Sequence, residues 1–475
     1  MMRCSRSRIS WLVLAAFALC GARGWVTTAT DTVTHTVARK WLTMQALAVD
    51  SGGTLHAVWA EAQTVALKYI MYARKPADSA WIEPKVVAES ANTHAAIAVE
   101  RKTGVAHVTW TVQFGSTADV FYATNKTGHW VTTRMTDDSL EQWLPTITLE
   151  GDTAPHLAWV VLDSTDTYHI MYSTRRSGAW KTQMLAGSQL GGFGSGAGPW
   201  IAVGPEGIAH ITYRGGDYGD YHIHHAQNSS PGDTAWTYEV LQTQSLNDFN
   251  SAVAAMDSGE LYLVCSGNDG WGMPFRTCYL HRPPNSNQWE PSVLMTASAS
   301  ACMRGFTTDG DVVHATWEEI NGNLQMEKIY HVSNVSGLWY NSAIRDDRRT
   351  SYGAVAVGSD HCGHALMLVD SAVDSDSQQI FCVHSEPFTA IAEPESHIRR
   401  PYASATLHQL PGRILLPELA GAEVRVYDAA GREVRRLAAG CASWWDGTDQ
   451  AGIVVRSGIY LLVTDKSSRA IIVLR

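Results

Sequence analysis

The sequence predicts an all-β fold: a seven-bladed β-propeller closed by its N-terminal strand, followed by a C-terminal β-sandwich. The first observation is a strand pattern, HAVW in its first copy, that recurs seven times at intervals of about 50 residues. The second is that short segments of alternating apolar and polar residues surround each copy, which is typical of strands. The third is that WVTTATDT at 25–32 resembles WVTTRMTD at 130–137, so the start of the chain carries a strand of the same repeat.

The N-terminus has the pattern of a secretory signal peptide, which we assign to residues 1–24. Basic residues in MMRCSRSRIS precede the apolar stretch WLVLAAFALC, and small residues follow it. The apolar stretch is too short to span a bilayer, and we expect cleavage after Ala22 or Gly24. The signal predicts a protein that is secreted or held at a bacterial cell surface.

The propeller is predicted over residues 25–388, and each unit has four strands in the same order. A short apolar strand such as ALAVD (46–50) comes first, and the HAVW-type strand comes second. A third strand such as YIMYA (69–73) follows a variable loop, and a Trp opens the fourth strand. The second-strand patterns end at Trp59, Trp110, Trp159, Tyr213, Val264, Trp317 and Met367. Four antiparallel strands repeated around an axis make a β-propeller, which leaves only short, protected edges.

The fourth strand of the last unit is missing at the end of the repeat and is predicted at the start of the chain. The other units carry the fourth-strand Trp at Trp81, Trp130, Trp180, Trp236, Trp289 and Trp339. In the seventh unit, IFCV (380–383) is followed by SEPFTAIAEPES instead. Trp25 precedes Trp59 by nearly the distance that separates Trp180 from Tyr213, so residues 25–32 supply the outer strand of the last blade. This pairing joins the two ends of the ring and removes an open sheet edge.

Composition, charge and cysteine spacing limit the classes of partner. The chain of 475 residues has 17% charged and 45% hydrophobic residues and a net charge of −10. A nucleic-acid ligand would require a basic surface, so we expect no nucleic-acid partner. Cys265 and Cys278 lie on consecutive predicted strands and form either a disulfide or two buried thiols, and Cys362 and Cys382 are a second candidate pair. The sequence contains no CxxC pair that would indicate a zinc site. We expect neither a metal nor a cofactor.

Residues 389–403 are polar and irregular and are predicted as a linker to a tail domain over 404–475. Alternating segments with Asp-Gly and Ala-Gly turns predict a small β-sandwich there. Its segments VRVYDAAGREV, WDGTDQAG and SGIYLLV, and its basic last residue, resemble the FlgD-type Ig-like domain and the C-terminal sorting domain of type IX secretion cargo. The resemblance implies contact with an outer-membrane secretion machinery, followed by release or surface attachment. An Ig-like spacer without a sorting role is the alternative.

The turns before three fourth strands carry a second resemblance. NKTGHW (125–130), RRSGAW (175–180) and NVSGLW (334–339) are similar to the Asp-box SxDxGxxW, without its Asp and one spacer residue. The repeats therefore resemble the sialidase-type, BNR-type propellers. The sequence has no intact Asp-box and no FRIP-like segment, so the resemblance transfers no catalytic arginine triad and no Tyr or Glu nucleophile to numbered positions of this chain.

Candidate ligand-binding residues come from the loops that rim one mouth of the propeller channel. These loops follow the second strands or enter the first strands, and such convergent loops commonly carry binding sites. Carboxylates, arginines and aromatic side chains together suit a sugar, because carboxylates bind hydroxyl groups and aromatic rings cover the apolar faces of sugar rings. The candidates are Glu61, Asp163, Arg214, Asp217, Asp269, Trp271, Arg304, Glu318, Glu319, Arg349 and Tyr352.

The remaining polar patterns have structural interpretations. The second-strand histidines recur in six of the seven units, which indicates packing rather than one active site. His222 and His224 in YHIHH (221–225) lie on one strand face, but no third zinc ligand accompanies them. The acidic loop DSAVDSDS (370–377) is interpreted as a solvated turn rather than a calcium site.

The predicted function is recognition of an extracellular glycan or polysaccharide. One alternative is an enzyme at the propeller mouth, either a glycoside hydrolase with two rim carboxylates or a polysaccharide lyase that uses His224 or His225 with Tyr218 or Tyr221. The other alternative is a platform that binds a protein ligand. Because the rim loops diverge between units, the sequence favours one asymmetric site over identical repeated sugar sites.

Overall fold

The computed structural model divides the chain into two compact units, one that ends at Ile391 and one that starts at Ala392. In the first unit it describes residues 25–388 except 35–36, 39–41, 63–67, 91–94, 186–197, 218–219, 232–234, 244, 246, 269–274, 298–299, 311, 321–325, 335–338, 346–349 and 371–376. In the second it describes residues 406–409, 414–415, 424–428, 432–437, 444–445, 447–450, 452–455, 458–463 and 468–474. All regular elements in these ranges are β-strands, and no helix there is long and apolar enough to cross a membrane.

The strands of residues 27–150 are β1 (Thr27–Thr32), β2 (Val37–Ala38), β3 (Leu42–Val49), β4 (Leu55–Ala62), β5 (Lys68–Lys75), β6 (Lys85–Ser90), β7 (Ala95–Val99), β8 (Ala106–Phe114), β9 (Thr117–Thr124), β10 (Val131–Arg134) and β11 (Glu141–Glu150). The strands of residues 154–297 are β12 (Ala154–Leu162), β13 (Tyr168–Thr174), β14 (Lys181–Met184), β15 (Trp200–Val203), β16 (Ala209–Asp217), β17 (Asp220–Asn228), β18 (Trp236–Val240), β19 (Asn247–Ala255), β20 (Leu261–Asn268), β21 (Phe275–Arg282) and β22 (Glu290–Ala297).

The strands of residues 300–387 are β23 (Ser300–Asp309), β24 (Val312–Ile320), β25 (Met326–Ser333), β26 (Tyr340–Arg345), β27 (Thr350–Val357), β28 (Cys362–Asp370) and β29 (Ser377–Pro387). The tail contains β30 (Thr406–Gln409), β31 (Ile414–Leu415), β32 (Val424–Asp428), β33 (Glu433–Leu437), β34 (Trp444–Trp445), β35 (Gly458–Val463) and β36 (Ser468–Leu474).

Strands β3 to β26 form antiparallel groups of four in chain order, which we call repeat units 1 to 6, and β27–β29 form repeat unit 7. One parallel pair, Glu141 opposite Ala118, joins the sheets of units 2 and 3. The N-terminal strand β1 lies at the edge of unit 7 and pairs with β29, where Thr32 is opposite Phe381. Each first strand contacts the first strand of the next unit, from β3 through β27, and β27 contacts β3. This arrangement of small sheets is that of a β-propeller.

Burial decreases from the second strand of a unit to the fourth. All eight residues of β4 are buried, because sheets of neighbouring units cover both of its faces, whereas β10 and β14 are largely exposed. A strand covered on both faces is continuously apolar rather than alternating, as LHAVWAEA in β4 largely is. The core therefore lies between the units rather than within any one of them.

A tryptophan links each unit to the next at the outer edge. The Trp before a fourth strand packs edge-on against an aromatic ring of the preceding unit's third strand, with ring centroids about 5 Å apart, in the pairs Trp130–Tyr72, Trp180–Tyr122, Trp236–Tyr172, Trp289–His225 and Trp339–Tyr279. Trp25 makes the same contact with His331 of unit 6 at 5.2 Å. Such edge-to-face pairs add to the stability gained by burying the rings.

The second-strand histidines are buried in hydrogen-bonded contacts at the ends of the first strands. His156 is representative: its Nδ1 lies 2.7 Å from the Tyr172 hydroxyl and its Nε2 lies 3.0 Å from Glu150. Units 1 and 2 repeat this arrangement, and in unit 7 the N-terminal strand contributes Asp31, which lies 3.1 Å from His384 Nε2. These contacts place the histidines in the interior and away from solvent.

The four described cysteine side chains are free thiols. Cys265 and Cys278 are fully buried and lie directly opposite each other on β20 and β21. Cys362 and Cys382 are not opposite each other, because Cys362 pairs with Pro387 and Cys382 pairs with Leu366, so the spacing that suggested this second pair was misleading.

The tail unit is built around a five-stranded sheet in the order β30-β36-β35-β32-β33, in which β30 and β36 are parallel. Val424, Val426, Trp445, Tyr460 and Leu462 form its buried cluster. The segments VRVYDAAGREV and SGIYLLV contain β32 and β35, and Trp445 of the cluster is the first residue of WDGTDQAG.

Candidate ligand site in the central channel

A cavity of about 510 Å³ lies where the first strands of the seven repeat units meet. A volume in this range is typical of sites for small ligands and for the ends of polymeric ones. The wall includes residues 46–51, 95–98, 144–148, 198–203, 250–251, 253–255, 303–308 and 354–357. We call this cavity the central channel.

Trp200 makes the channel asymmetric. At the equivalent first-strand position, which the strand registers define, the other units carry Ala46, Ala96, Thr146, Ala252, Gly305 and Ala354. The Trp200 side chain of unit 4 is partly exposed and reaches Phe306 of unit 6, with ring centroids 6.1 Å apart and near-perpendicular planes. The two rings meet beside the small residues Ala252 and Ala254 of unit 5. One wall of the channel is therefore aromatic, and packing holds the rings of Trp200 and Phe306 in place.

Arg304 brings a cation to the same part of the channel. It lies at a register shift in β23, between Met303 and Gly305, and such bulges re-aim side chains at functional surfaces. Its Nε donates to Glu318 Oε2 at 2.7 Å, and Glu318 is completely buried. Because a charge-assisted hydrogen bond to a buried carboxylate is strong and directional, Glu318 fixes the guanidinium against the channel wall.

Glycine at position 305 allows the close approach that seats Arg304. A Cβ added there would lie 2.6 Å from Thr316 Oγ1 and 2.7 Å from both Gly353 O and Val355 N. No side chain fits in that space, so the first strands of units 6 and 7 approach closely here.

At the other end of the first strands, the described charged residues form hydrogen bonds that stabilise turns. Asp50 Oδ1 accepts hydrogen bonds from the amides of Gly52 and Thr54 at 2.9 and 2.8 Å, and Asp50 Oδ2 lies 3.5 Å from His56 Nε2. The Arg101 carbonyl accepts hydrogen bonds from the amide and hydroxyl of Ser51. Among the described residues of the wall, Asp50 is therefore the one carboxylate, and it is engaged in holding a turn.

Three other candidate residues with described side chains lie outside the channel wall. Glu61 is buried and accepts a hydrogen bond from Trp59 Nε1 at 3.4 Å. Asp163 accepts hydrogen bonds from Thr165 and Thr167 in a turn and lies 3.0 Å from His169 Nε2, and these bonds hold the pKa of its carboxyl well below the usual value. Arg214 is buried beneath the ring of Tyr221, with 4.2 Å from its guanidinium carbon to the ring centroid.

The remaining candidates fall where side chains lie outside the described part of the chain. Asp217, Glu319 and Tyr352 belong to β16, β24 and β27, which give their position but not their side chains. Asp269, Trp271 and Arg349 lie outside the described residues. Of the eleven candidates, the structure thus joins two: Arg304, which lines the channel wall, and Glu318, which is buried behind it.

The histidines suggested for lyase chemistry are engaged elsewhere. His225 is 1% exposed, with Nδ1 2.8 Å from Glu239 and Nε2 3.2 Å from His210 Nδ1. His224 stacks on Tyr213, and burial lowers its pKa. Tyr218 lies outside the described residues. No group of three or more His, Cys, Asp or Glu side chains in the described part of the chain is placed to hold a metal ion.

Sequence reasoning missed Trp200, although a signal for it was present. Aligning the first strands of the units puts a Trp where the others have Ala, Gly or Thr, and a large residue at a small-residue position in a repeat indicates a local function. Position 200 directly precedes the strand predicted at IAVG (201–204), where a tryptophan also fits the interpretation of the repeated aromatic residues as core residues.

No family model and no curated protein matches the chain by sequence. Solved structures with similar folds include a protein of unknown function from Dyadobacter fermentans, with 10% identity, 77% coverage of this chain, 99% coverage of its own and a TM-score of 0.45. The endosialidase of phage phi92 has 10% identity, coverages of 94% and 87% and a TM-score of 0.46. The polysaccharide lyase Uly1 has 10% identity, coverages of 72% and 90% and a TM-score of 0.46. These similarities are of fold alone.

Proposed function

We propose that this protein is a secreted or cell-surface β-propeller that binds an extracellular glycan or polysaccharide in its central channel. The observation that carries the proposal is Trp200, a partly exposed aromatic ring at a channel position where the other units have small residues. Aromatic rings cover the apolar faces of sugars, and the nearby Arg304 supplies donors for hydroxyl or carbonyl oxygens. A single asymmetric site fits a ligand that enters the channel with one end.

We further propose that the units are seven blades and that the N-terminal strand closes the ring. The pairing of β1 with β29 supports this, as does the contact of Trp25 with His331. Contacts across the seam between units 7 and 1 support it as well: Lys75 lies 3.6 Å from Asp31, and the Ser359 hydroxyl donates to the Ser51 carbonyl at 3.4 Å. A closed ring holds the channel residues of all units in fixed relative positions.

Binding is favoured over hydrolysis by the chemistry of the described wall. Hydrolysis of a glycosidic bond uses two carboxyl groups roughly 5–10 Å apart. Asp50 is occupied by a turn, and Glu318 is buried against Arg304. A lyase would need an accessible base, and His225 is enclosed in the protein interior.

We propose that the tail, residues 404–475, is an Ig-like sorting domain that directs export through an outer-membrane secretion machinery. The strand segments and their buried cluster around Trp445 are consistent with the resemblance found in the sequence. A chain truncated after Glu395 tests this proposal: it should remain in the cells, and its appearance in the medium would refute the sorting role.

The test of the binding function uses the full-length protein and a panel of neutral, uronate-containing and sialylated glycans. Binding is measured by titration calorimetry, and the glycans are then analysed by mass spectrometry. We expect at least one glycan to bind without a change in mass, and Trp200→Ala to weaken binding at least tenfold. New saccharide masses would show an enzyme instead, and no binding to any glycan would favour the protein platform.

A further inference from the structure

Repeat unit 5 differs from the other units in the layer next to the channel. In the other units a third-strand aliphatic residue faces the residue that follows the HAVW-type pattern: Ile70, Val120, Ile170, Ile223, Ile329 and Ile380. In unit 5 the turn at residues 256–259 corresponds to the turn at residues 204–207 of unit 4, so the second strand lies one residue later than the sequence pattern that ends at Val264. The equivalent position is therefore Thr277, opposite Ser266, and Ser266 is in turn opposite Asn250 on the first strand. A row of three polar residues therefore crosses unit 5 and ends at the channel, where Asn250 contributes to the wall.

Hydroxyl groups in this region are buried without a partner. Ser251, which also lines the channel, is 5% exposed, and Ser266 and Thr277 are 1% and 3% exposed. Among the described residues, none offers a hydrogen-bond partner to any of these three hydroxyls. Leaving a buried hydroxyl unpaired is costly, so such a group in a native protein indicates a bound water or a ligand.

The unpaired hydroxyls lie beside the aromatic wall and the arginine. Asn250 and Ser251 precede Ala252, the residue beside which Trp200 and Phe306 meet. A ligand covering Trp200 would thus have the Asn250 amide and the Ser251 hydroxyl within the same part of the channel. We call Asn250, Ser251, Ser266 and Thr277 the unit 5 recess.

The groups of the recess select for a class of ligand. Hydroxyl and amide groups both donate and accept hydrogen bonds, which matches the hydroxyl groups of a sugar. They carry no formal charge, and the charge of Arg304 is balanced by Glu318 at 2.7 Å. Nothing in the recess compensates a carboxylate of the ligand, and burying an uncompensated charge is unfavourable.

We propose that the unit 5 recess is the specificity subsite of the channel and binds the hydroxyl groups of a neutral saccharide. Asn250 and Ser251 contact the saccharide, and Ser266 and Thr277, which lie in the same row as Asn250, hold a water molecule behind the Asn250 amide that completes their hydrogen bonds. This inference rests on the proposed glycan-binding function, and it names the class of glycan: neutral sugars rather than uronates or sialic acids.

The test compares single substitutions in the full-length protein against the neutral and anionic members of the glycan panel. Ser251→Ala and Thr277→Val should each weaken binding of the neutral saccharide about 3- to 10-fold, as expected for one hydrogen bond. They should leave the melting temperature of the ligand-free protein unchanged or raised, because neither hydroxyl bonds another described protein group. Tyr213→Phe is the matched control: it also removes a buried, unpaired hydroxyl, but from outside the channel wall, and should not change affinity.

The outcomes separate the inference from the function on which it rests. If the wild-type protein binds a glycan and Ser251→Ala affects affinity no more than Tyr213→Phe, the subsite assignment is wrong and glycan binding stands. Preferential binding of uronates or sialylated glycans would likewise overturn the subsite alone. If the wild-type protein binds no glycan, both proposals fail together.

Discussion

Trp200 and the Arg304–Glu318 pair give the channel its chemistry at the scale of single residues. Trp200 replaces a small residue of the repeat, and Arg304 is turned into the channel by a bulge. The pair depends on the complete burial of Glu318, since a carboxylate in that position requires a cation. The position of the Trp200 ring and the charge of the Arg304–Glu318 pair therefore depend on packing between units as much as on the residue types.

Glu318→Gln should destabilise the protein because it leaves the guanidinium of Arg304, largely buried itself, without its counter-ion. Removing one partner of a buried pair costs about 3–5 kcal/mol, and the amide retains part of the hydrogen bond, so we expect a loss of about 2–3 kcal/mol in the free energy of unfolding. Urea unfolding measures this. Asp137→Asn, which breaks an exposed ion pair with Arg134, is the control and should leave stability unchanged. Equal effects of the two changes would contradict the buried role of Glu318.

Asp248→Asn should change how stability depends on pH. Asp248 is fully buried, accepts a hydrogen bond from the Thr243 hydroxyl at 2.9 Å and lies near the thiol of Cys278. Burial raises the pKa of its carboxyl to about 7. Since the folded state holds this proton more tightly than the unfolded state, its contribution to stability falls as pH rises from about 4 to about 7.

The Asn variant lacks this titration. We expect its stability relative to the wild type to increase by up to about 4 kcal/mol between pH 4 and pH 8, as measured by urea unfolding at each pH. Asp257→Asn, in the exposed turn of the same unit, should show no such trend. If the stability difference between the wild type and Asp248→Asn is constant across this range, burial does not raise the pKa of the Asp248 carboxyl.

The strands are the elements whose repetition the sequence makes visible. The alternation of apolar and polar residues depends on burial, so it can be recognised in the sequence. It predicts the four-strand order, the second-strand histidines as packing residues and the fourth-strand tryptophans. The sequence does not predict the pairing of His156 with Tyr172 and Glu150, because that pairing depends on which side chains adjacent strands bring together. The same limit explains why the spacing of Cys362 and Cys382 suggested a pair, and why the sequence does not identify Glu318 and Arg304 as partners.

Tyr172→Phe should destabilise unit 3. The change removes the hydroxyl that lies 2.7 Å from His156 Nδ1, and His156 is completely buried, so its ring nitrogen loses a partner that water cannot replace. We expect a loss of about 1–2 kcal/mol in the free energy of unfolding. Tyr238→Phe, on an exposed fourth strand, serves as the control. If both variants unfold at the same urea concentration, the His–Tyr contact contributes nothing to the fold.

Trp25→Ala should weaken the attachment of the N-terminal strand. Trp25 is 6% exposed and packs against His331 and Phe388, so its truncation should cost about 3–5 kcal/mol. Val26→Ala, at an exposed neighbour on the same segment, should cost little. Proteolysis followed by mass spectrometry gives a second readout, since β1 should become cleavable in Trp25→Ala first. An N-terminal strand equally protected in both variants would contradict the proposal that it joins the ends of the ring.

For the whole molecule, the buried histidines predict acid sensitivity. Burial lowers the pKa of His314 to about 3 and of His364 to about 4, and it lowers the pKa of His56, His107, His156, His210, His225 and His331 as well. Because the unfolded chain binds these protons near pH 6.5, stability is complete above that pH and is lost progressively below it. Asp248 opposes this trend, but it is one group against eight.

We therefore expect the free energy of unfolding to decrease steeply between pH 6.5 and pH 4. Urea unfolding in a series of buffers at constant ionic strength measures it, and Asp248→Asn measured in parallel removes the opposing contribution. A stability that is the same at pH 7.5 and pH 4.5 would mean that the histidines are charged, or accessible, in the folded protein.

A crystal structure of the full-length protein with the glycan of the panel that binds most tightly tests whether that glycan lies in the central channel against Trp200. We expect a sugar ring stacked on Trp200, with oxygens within hydrogen-bond distance of Arg304, Asn250 or Ser251. A glycan on the outer strands or on the tail unit, with the channel filled by water, would refute binding in the channel.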